Sequence, residues 1–373
     1  MSKINETKSI NFLRGVPATD VLEWLIPKVA EGYEKTIKQY GVEVLQYGHN
    51  NGFAPLRTLI GQRHNVDPKR VVVGNGGMEV ISLFFKSLPR NGHIVIEEAS
   101  YDRVIMDAQR YGLNLIGVEL TSDGVNLDQL KEVVKKNSID AFYGIPFHQN
   151  PTGINYSEEN ILAVEQICKN HKVICAWDIC YESLRYDGNK NSPIQVSDWG
   201  PVLIDSFTKT VSPGTKCGYI ILPVNFVNHM VNVIENTRIN PNLPTQAFIA
   251  DFIASGEYEI FLDKICRFYQ SRMDAINEAL AQHFPGAFPA KLTGGFFTGL
   301  TLKNIVLEKE PSFIQKAKDA GVGIAAFWNA IAPNFRESKQ QKGLYTRLTF
   351  PAFDPDLIRW GISTLKKVVE DFK

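Results

Sequence analysis

A lysine set among hydroxyls stands in the stretch Ser206-Phe207-Thr208-Lys209-Thr210-Val211-Ser212-Pro213-Gly214-Thr215-Lys216-Cys217-Gly218-Tyr219. The stretch follows one apolar, β-branched run and precedes another, so Lys209 is expected at a strand end and not on the wet face of a helix. Desolvation and nearby positive charge both disfavour an ammonium, which leaves a nucleophilic amine suited to a carbonyl group. Ser206, three residues before, and Lys216, seven after, offer a hydroxyl and a charge that suit a phosphate. Taken alone, a lysine is most often a solvated surface residue; only its neighbours in the chain argue otherwise.

Three further segments end apolar runs in the same way. In Pro146-Phe147-His148-Gln149-Asn150-Pro151-Thr152-Gly153, a turn accounts for Pro151 and Gly153 but leaves the polar amide of Asn150 at the strand end unexplained. Asp178, closing Val173–Trp177, is either a capping residue or a carboxylate able to face a pyridinium nitrogen and keep such a ring protonated. Gly74-Asn75-Gly76-Gly77-Met78-Glu79 leads into the apolar helix expected over Val80–Leu88, where glycines let N–H groups at a helix start approach a phosphate. A short glycine-rich turn is common in α/β proteins, so this last signal is weak by itself.

The elements that must position these residues are legible as runs. Val71–Gly74, Ile94–Glu98, Leu115–Leu120, Ala141–Pro146, Val173–Asp178, Val202–Ser206 and Gly218–Leu222 are apolar almost throughout, as strands buried on both faces of a mostly parallel sheet are. Helix-period segments such as Asn126–Lys136 and Ser157–Asn170 lie between them. This rhythm predicts a doubly wound α/β domain, whose ligands bind beyond the carboxyl ends of the strands. One long helix is expected over Glu257–Phe284 and a final one near Pro355–Phe372. Residues 40–283 are therefore read as a large domain, with 1–39 and 284–373 forming a smaller α+β unit.

Composition bounds the rest. Forty basic residues balance forty acidic ones, so no net field draws the chain to nucleic acid or to anionic lipid. Five cysteines form no CxxC pair and no metal-type cluster with histidine, which reads as reduced thiols in a cytoplasmic protein with no metal site. The opening MSKINETKSINFLRG lacks the apolar core of a leader, and no run approaches membrane-spanning length.

In this order the segments resemble the class I/II aminotransferases, enzymes of fold type I that depend on pyridoxal 5′-phosphate (PLP). Six blocks carry the resemblance: Tyr47-Gly48…Gly52…Leu56-Arg57, the glycine turn at 74–78, Gln149-Asn150-Pro151-Thr152-Gly153, Asp178-x-x-Tyr181, the Lys209 segment, and Arg347-Leu348-Thr349-Phe350. The Gln-Asn-Pro-Thr-Gly and Tyr47-Gly48 forms are most similar to the 2-aminoadipate/kynurenine branch. The resemblance implies that Lys209 forms a Schiff base with PLP and shuttles the substrate proton, that Asp178 pairs with the ring nitrogen, and that Asn150 and Tyr181 bond the ring oxygen. It implies that Tyr101 stacks on the ring, and that Gly77, Met78, Ser206 and Lys216 hold the phosphate, helped by Tyr47 from a neighbouring subunit of a homodimer. Arg347 is implied to bind the substrate α-carboxylate, and the turn at Gly15, with Arg14 before it, to close over the substrate. The implied activity is ping-pong transfer of an amino group between an L-amino acid and a 2-oxo acid.

Four departures qualify this. Lysine stands at 216 where arginine is usual, and Gly77 where a hydroxyl residue is common. Arg14 replaces a smaller residue, and Gly321-Val322-Gly323-Ile324-Ala325-Ala326-Phe327-Trp328 departs from the usual turn on the substrate side. They keep open a same-fold enzyme with another outcome, such as elimination, decarboxylation, cyclisation or oxidation of an amino acid. A PLP-sensing regulatory domain is the third reading; the enzyme-like sequence begins by Ile10 and the net charge is zero, both of which weigh against it.

Overall fold

The computed structural model describes residues 8–188, 194 and 196–372. Seven strands form the central sheet: β1 (Val71–Gly74), β2 (His93–Glu97), β3 (Asn114–Val118), β4 (Ala141–Gly144), β5 (Ile174–Asp178), β6 (Val202–Ser206) and β7 (Gly218–Ile221). Their order across the sheet is β1-β7-β6-β5-β4-β2-β3; β7 runs antiparallel to both neighbours, and the pairs from β6 to β3 are parallel. The near-continuous apolarity of these runs has a direct cause. Successive side chains point to opposite faces, and both faces are covered: Val71 and Val73 enter one core while Val72 enters the other.

Two runs stop two residues earlier than their apolarity suggests. The run ending at Leu120 breaks after Val118, and Leu120–Thr121 turns back on Gly124–Val125 as a separate hairpin. The run through Pro146 ends at Gly144, because Pro146 has no N–H to give a ladder and the Ile145 N–H is taken by the carboxylate of Glu97 at 2.8 Å.

Helix Gly77–Lys86 follows β1, helix Asp102–Arg110 follows β2, and helix Glu158–Asn170 precedes β5, its first turn capped by Ser157, which accepts from Asn160 N–H. A 27-residue helix, Glu257–His283, leads to an antiparallel pair, β8 (Phe297–Leu302) and β9 (Leu344–Thr349), and the chain closes with helix Pro355–Glu370. The N-terminal region divides its contacts. Strand Ile10–Asn11 pairs in parallel with Val322–Gly323, whereas helix Thr19–Tyr40 packs along helix Leu243–Ala254, with Tyr33 stacked on Phe248 at 5.3 Å. Among the described residues, no helix is long and apolar enough to cross a membrane.

Candidate active site

The glycine turn after β1 delivers the start of helix Gly77–Lys86 to one end of the site. Gly76 holds φ at 95°, a conformation that only glycine adopts without strain, and so aims the first helical N–H groups, Gly77 and Met78, outward. Opposite them are Ser206 at the end of β6 and Thr208 two residues on, their hydroxyls 2.7 Å apart. Space at the turn is open: a side chain at Gly76 would meet nothing nearer than Lys216 Cα and Thr208 Oγ1, both at 3.9 Å. Helix-start N–H groups, two hydroxyls and the exposed ammonium of Lys216 together make an anion cradle.

A buried carboxylate marks the other end. Asp178 is the last residue of β5, 5% exposed; its Oδ2 accepts from the Tyr143 hydroxyl at 2.6 Å and its Oδ1 from Cys180 N–H at 3.1 Å. Burial pushes its pKa up, and these donors pull against that. Asn150, 2% exposed, lies on a turn held from below by Gln149, whose Oε1 accepts from Thr152 N–H and hydroxyl and whose Nε2 donates to Glu97 and to the Ala99 carbonyl. Tyr181 is buried against Phe296 and Phe297, and Tyr101 precedes helix Asp102–Arg110 at the edge of the same space.

Between the two ends stands Lys209. Its Nζ donates to the Gly15 carbonyl at 3.2 Å and lies 5.5 Å from the centre of the Phe296 ring. Burial lowers its pKa to about 8; the Cys180 thiol opposes that fall, and the positive charges of Arg347 and Lys216 reinforce it. An appreciable neutral amine is therefore present near neutral pH, as an attack on a carbonyl requires. Arg347, central on β9, donates from Nη1 to Asn150 Oδ1 at 2.9 Å and from Nη2 to the Leu13 carbonyl at 3.2 Å. Phe297 and Phe327 pack on its guanidinium at 4.2 and 4.3 Å, so the atypical 321–328 segment reaches the site through Phe327. Gly15 has no alternative here: a Cβ would fall 2.1 Å from the Phe297 ring.

The structure thus brings Lys209, Asp178, Asn150, Tyr181, Tyr101, Arg347, Gly15, Gly77, Met78, Ser206 and Lys216 to one region at the carboxyl ends of the strands. Arg14, one residue from Gly15, is exposed. Tyr47 stands apart, 75% exposed on the surface. Residues the sequence reading did not single out also belong to the region. Thr208 supplies a second hydroxyl to the cradle, and its place two residues after Ser206 was a usable signal. Tyr143 and Glu97 were not findable that way, since each acts across strands. A cavity of about 900 Å³ among Arg63, His64, Glu182, Arg185, Asp263 and Arg267 contains none of these residues.

PLP fits this arrangement. The cradle suits a phosphate dianion, the carboxylate of Asp178 suits a protonated ring nitrogen, and an amine of lowered pKa lies between them. Comparison with known proteins agrees. Residues 7–334 match the family described as aminotransferase class I and II. The chain is 25% identical to aromatic-amino-acid aminotransferase 1 of Thermococcus litoralis, over 99% of this chain and 90% of that protein. It superposes with a TM-score of 0.88 on the multiple substrate aminotransferase of Thermococcus profundus, at 22% identity, covering 99% of this chain and 93% of the other. On the α-aminoadipate aminotransferase of Thermus thermophilus, solved with N-(5′-phosphopyridoxyl)-L-leucine, the score is 0.86, again at 22% identity, over 99% and 95% of the two chains. With the cradle, the buried carboxylate and the shielded lysine in the positions described, the chain belongs to the class I and II aminotransferases, PLP-dependent enzymes of fold type I that move amino groups between amino acids and 2-oxo acids.

Proposed function

We propose that Lys209 is the residue that carries PLP and moves the substrate proton, and that Arg347 sets the substrate's orientation by gripping its α-carboxylate. When bound, PLP supplies an electron-accepting ring that takes up the charge left at Cα as the Cα–H bond breaks. Everything else is the work of this chain. Gly77 and Met78 N–H groups, Ser206, Thr208 and Lys216 hold the phosphate; Asp178 holds a proton at the ring nitrogen; Asn150 and Tyr181 donate to the ring oxygen; and Tyr101 covers the ring. Lys209 Nζ, neutral once freed by the incoming amine, takes the Cα proton and returns it as general base and then acid. The observation that carries this reading is the convergence on one space of an amine of lowered pKa and an arginine whose Nη1 already bonds Asn150.

Tyr47, exposed beside Val42 and Leu45, which are 74% and 67% exposed, supports a homodimer in which Tyr47 completes the phosphate site of the other subunit. Five cysteines with no CxxC pair among them support a reducing, cytoplasmic setting. Lys209→Ala tests the central assignment: the purified protein is expected to lose the borohydride-reducible bond to PLP and to keep its circular dichroism. An amino acid alone should shift the cofactor absorbance of the wild type, and a 2-oxo acid should reverse it. Retention of a reducible linkage in Lys209→Ala would refute the assignment. The dimer is tested by mixing Lys209→Ala with Tyr47→Phe subunits, which should restore one intact site per hybrid.

A further inference from the structure

We propose that Tyr143 is a positioning residue for this reaction: with Cys180 it fixes the orientation of the Asp178 carboxylate and keeps it ionised toward the cofactor's ring nitrogen. The proposal rests on the assignment of Asp178 to that nitrogen.

The geometry follows from the register of two neighbouring strands. Tyr143 in β4 pairs with Ala176 in β5, so Asp178, two residues further along β5, projects from the same face. The diagonal between such positions is about 7–8 Å, a span that a phenol covers and a shorter side chain does not. The Tyr143 ring is fully buried against Phe85, 6.1 Å away, and its hydroxyl meets Oδ2 at 2.6 Å. Cys180 adds its N–H to Oδ1, and its thiol reaches the same carboxylate. Residue 77 lies against that thiol: a Cβ there would sit 3.6 Å from Cys180 Sγ, an ordinary van der Waals contact, and 3.3 Å from Ser206 Cβ.

These donors matter because little else near Asp178 favours its charge. The groups that face it are Tyr143 from β4, Cys180 and Tyr181 from its own loop, Tyr101 from the loop after β2, and the like-charged Asp205 from β6. Burial favours the neutral acid, and a neutral acid would no longer hold a proton on the ring nitrogen as an ion pair. Hydrogen bonds to the charged form oppose that. Tyr143 remains a donor throughout the working range, since burial and the adjacent carboxylate hold its own pKa well above 10. A purely structural tyrosine would need an acceptor too, but it would not need this one.

Tyr143→Phe and Cys180→Ala holoenzymes separate the two roles. A hydrogen bond to a charged group is worth roughly 1.5 kcal/mol or more, so Tyr143→Phe is expected to slow the single-turnover reaction with an amino acid about tenfold, with KM unchanged. The pH titration of its bound-cofactor absorbance should shift as well. Cys180→Ala keeps the backbone N–H and is expected to move both readouts in the same direction by less. The decisive comparison uses PLP methylated at the ring nitrogen, whose positive charge does not depend on Asp178. With it, wild type and Tyr143→Phe should react within about twofold of each other. A wild-type rate and titration for Tyr143→Phe with ordinary PLP would overturn the proposal, and so would an undiminished deficit with the methylated cofactor. Failure of the underlying assignment of Asp178 looks different, because Asp178→Asn would then also leave the rate and the cofactor titration unchanged.

Discussion

Replacement of Arg347 by lysine tests how the substrate is held. A guanidinium has five N–H donors. In this structure one on Nη1 goes to Asn150 and one on Nη2 to the Leu13 carbonyl, which leaves Nε and the second hydrogen of each terminal nitrogen. Among the described residues, Nε is buried without a partner. Phe297 and Phe327 press on the group at 4.2 and 4.3 Å and fix its plane, so the remaining donors point in set directions before any carboxylate arrives. Lysine keeps the charge but has no fork to offer. Loss of one charge-assisted hydrogen bond, about 1.5–3 kcal/mol, predicts a fall in kcat/KM of about ten- to a hundredfold, entering mainly through KM. The assay is single-turnover loss of cofactor absorbance, run with an amino acid and with the corresponding amine lacking the α-carboxylate. Arg347→Lys should be slow with the first and level with wild type on the second. An equal fall with both would show that Arg347 serves Asn150 or the fold, and would refute the carboxylate argument.

Other expectations follow from the buried titratable groups. Lys209 in the cofactor-free protein should react with an amine-specific reagent along a pH curve centred near 8, because burial favours the neutral form; a midpoint near the ordinary 10.5 would contradict that. Glu97 accepts from Ile145 N–H, Gln149, Tyr156 and Ser100, all at 2.8 Å, and Glu97→Gln sets an NH2 against either Ile145 N–H or the Gln149 amide, at a cost of about 1–3 kcal/mol. Burial raises Glu97 from 4.5 to about 7, so its contribution to stability is complete below pH 4.5 and is lost as pH rises through 7; urea titrations should show the variant's deficit largest near pH 5 and shrinking toward pH 8. Lys216→Arg, which adds a fork at the phosphate, should bind PLP about tenfold more tightly by equilibrium dialysis, and unchanged binding would remove Lys216 from the cradle.

The central sheet was legible because strands covered on both faces cannot hide their composition: Val71–Gly74 and Val202–Ser206 stand where their apolar runs place them. Lys209, Asp178 and Asn150 drew attention as polar groups at the ends of such runs, a one-dimensional signal. Tyr143 and Glu97 gave none. Tyr143 meets Asp178 across 35 residues, and Glu97 meets Gln149 across 52, only because β4 lies between β5 and β2. Inside their runs they read as one more aromatic and one more strand-end acid. The division of the N-terminal region was equally hidden, since a two-residue strand leaves no periodicity to detect.

That division has a consequence for the substrate's entry. The strap from Phe12 to Ala18 is tethered at one end by the pairing of Ile10–Asn11 with Val322–Gly323 and at the other by helix Thr19–Tyr40. Within it, the carbonyls of Leu13 and Gly15 bond Arg347 and Lys209. Arg347 therefore meets an incoming amino acid with a partner already in hand. The strap acts as an intramolecular competitor, and its effective concentration is set by its two tethers and not by the solution around it. Loosening either tether weakens the competitor, so a change at Ile10 or Val322, remote from the chemistry, is felt at the site as a change in apparent affinity.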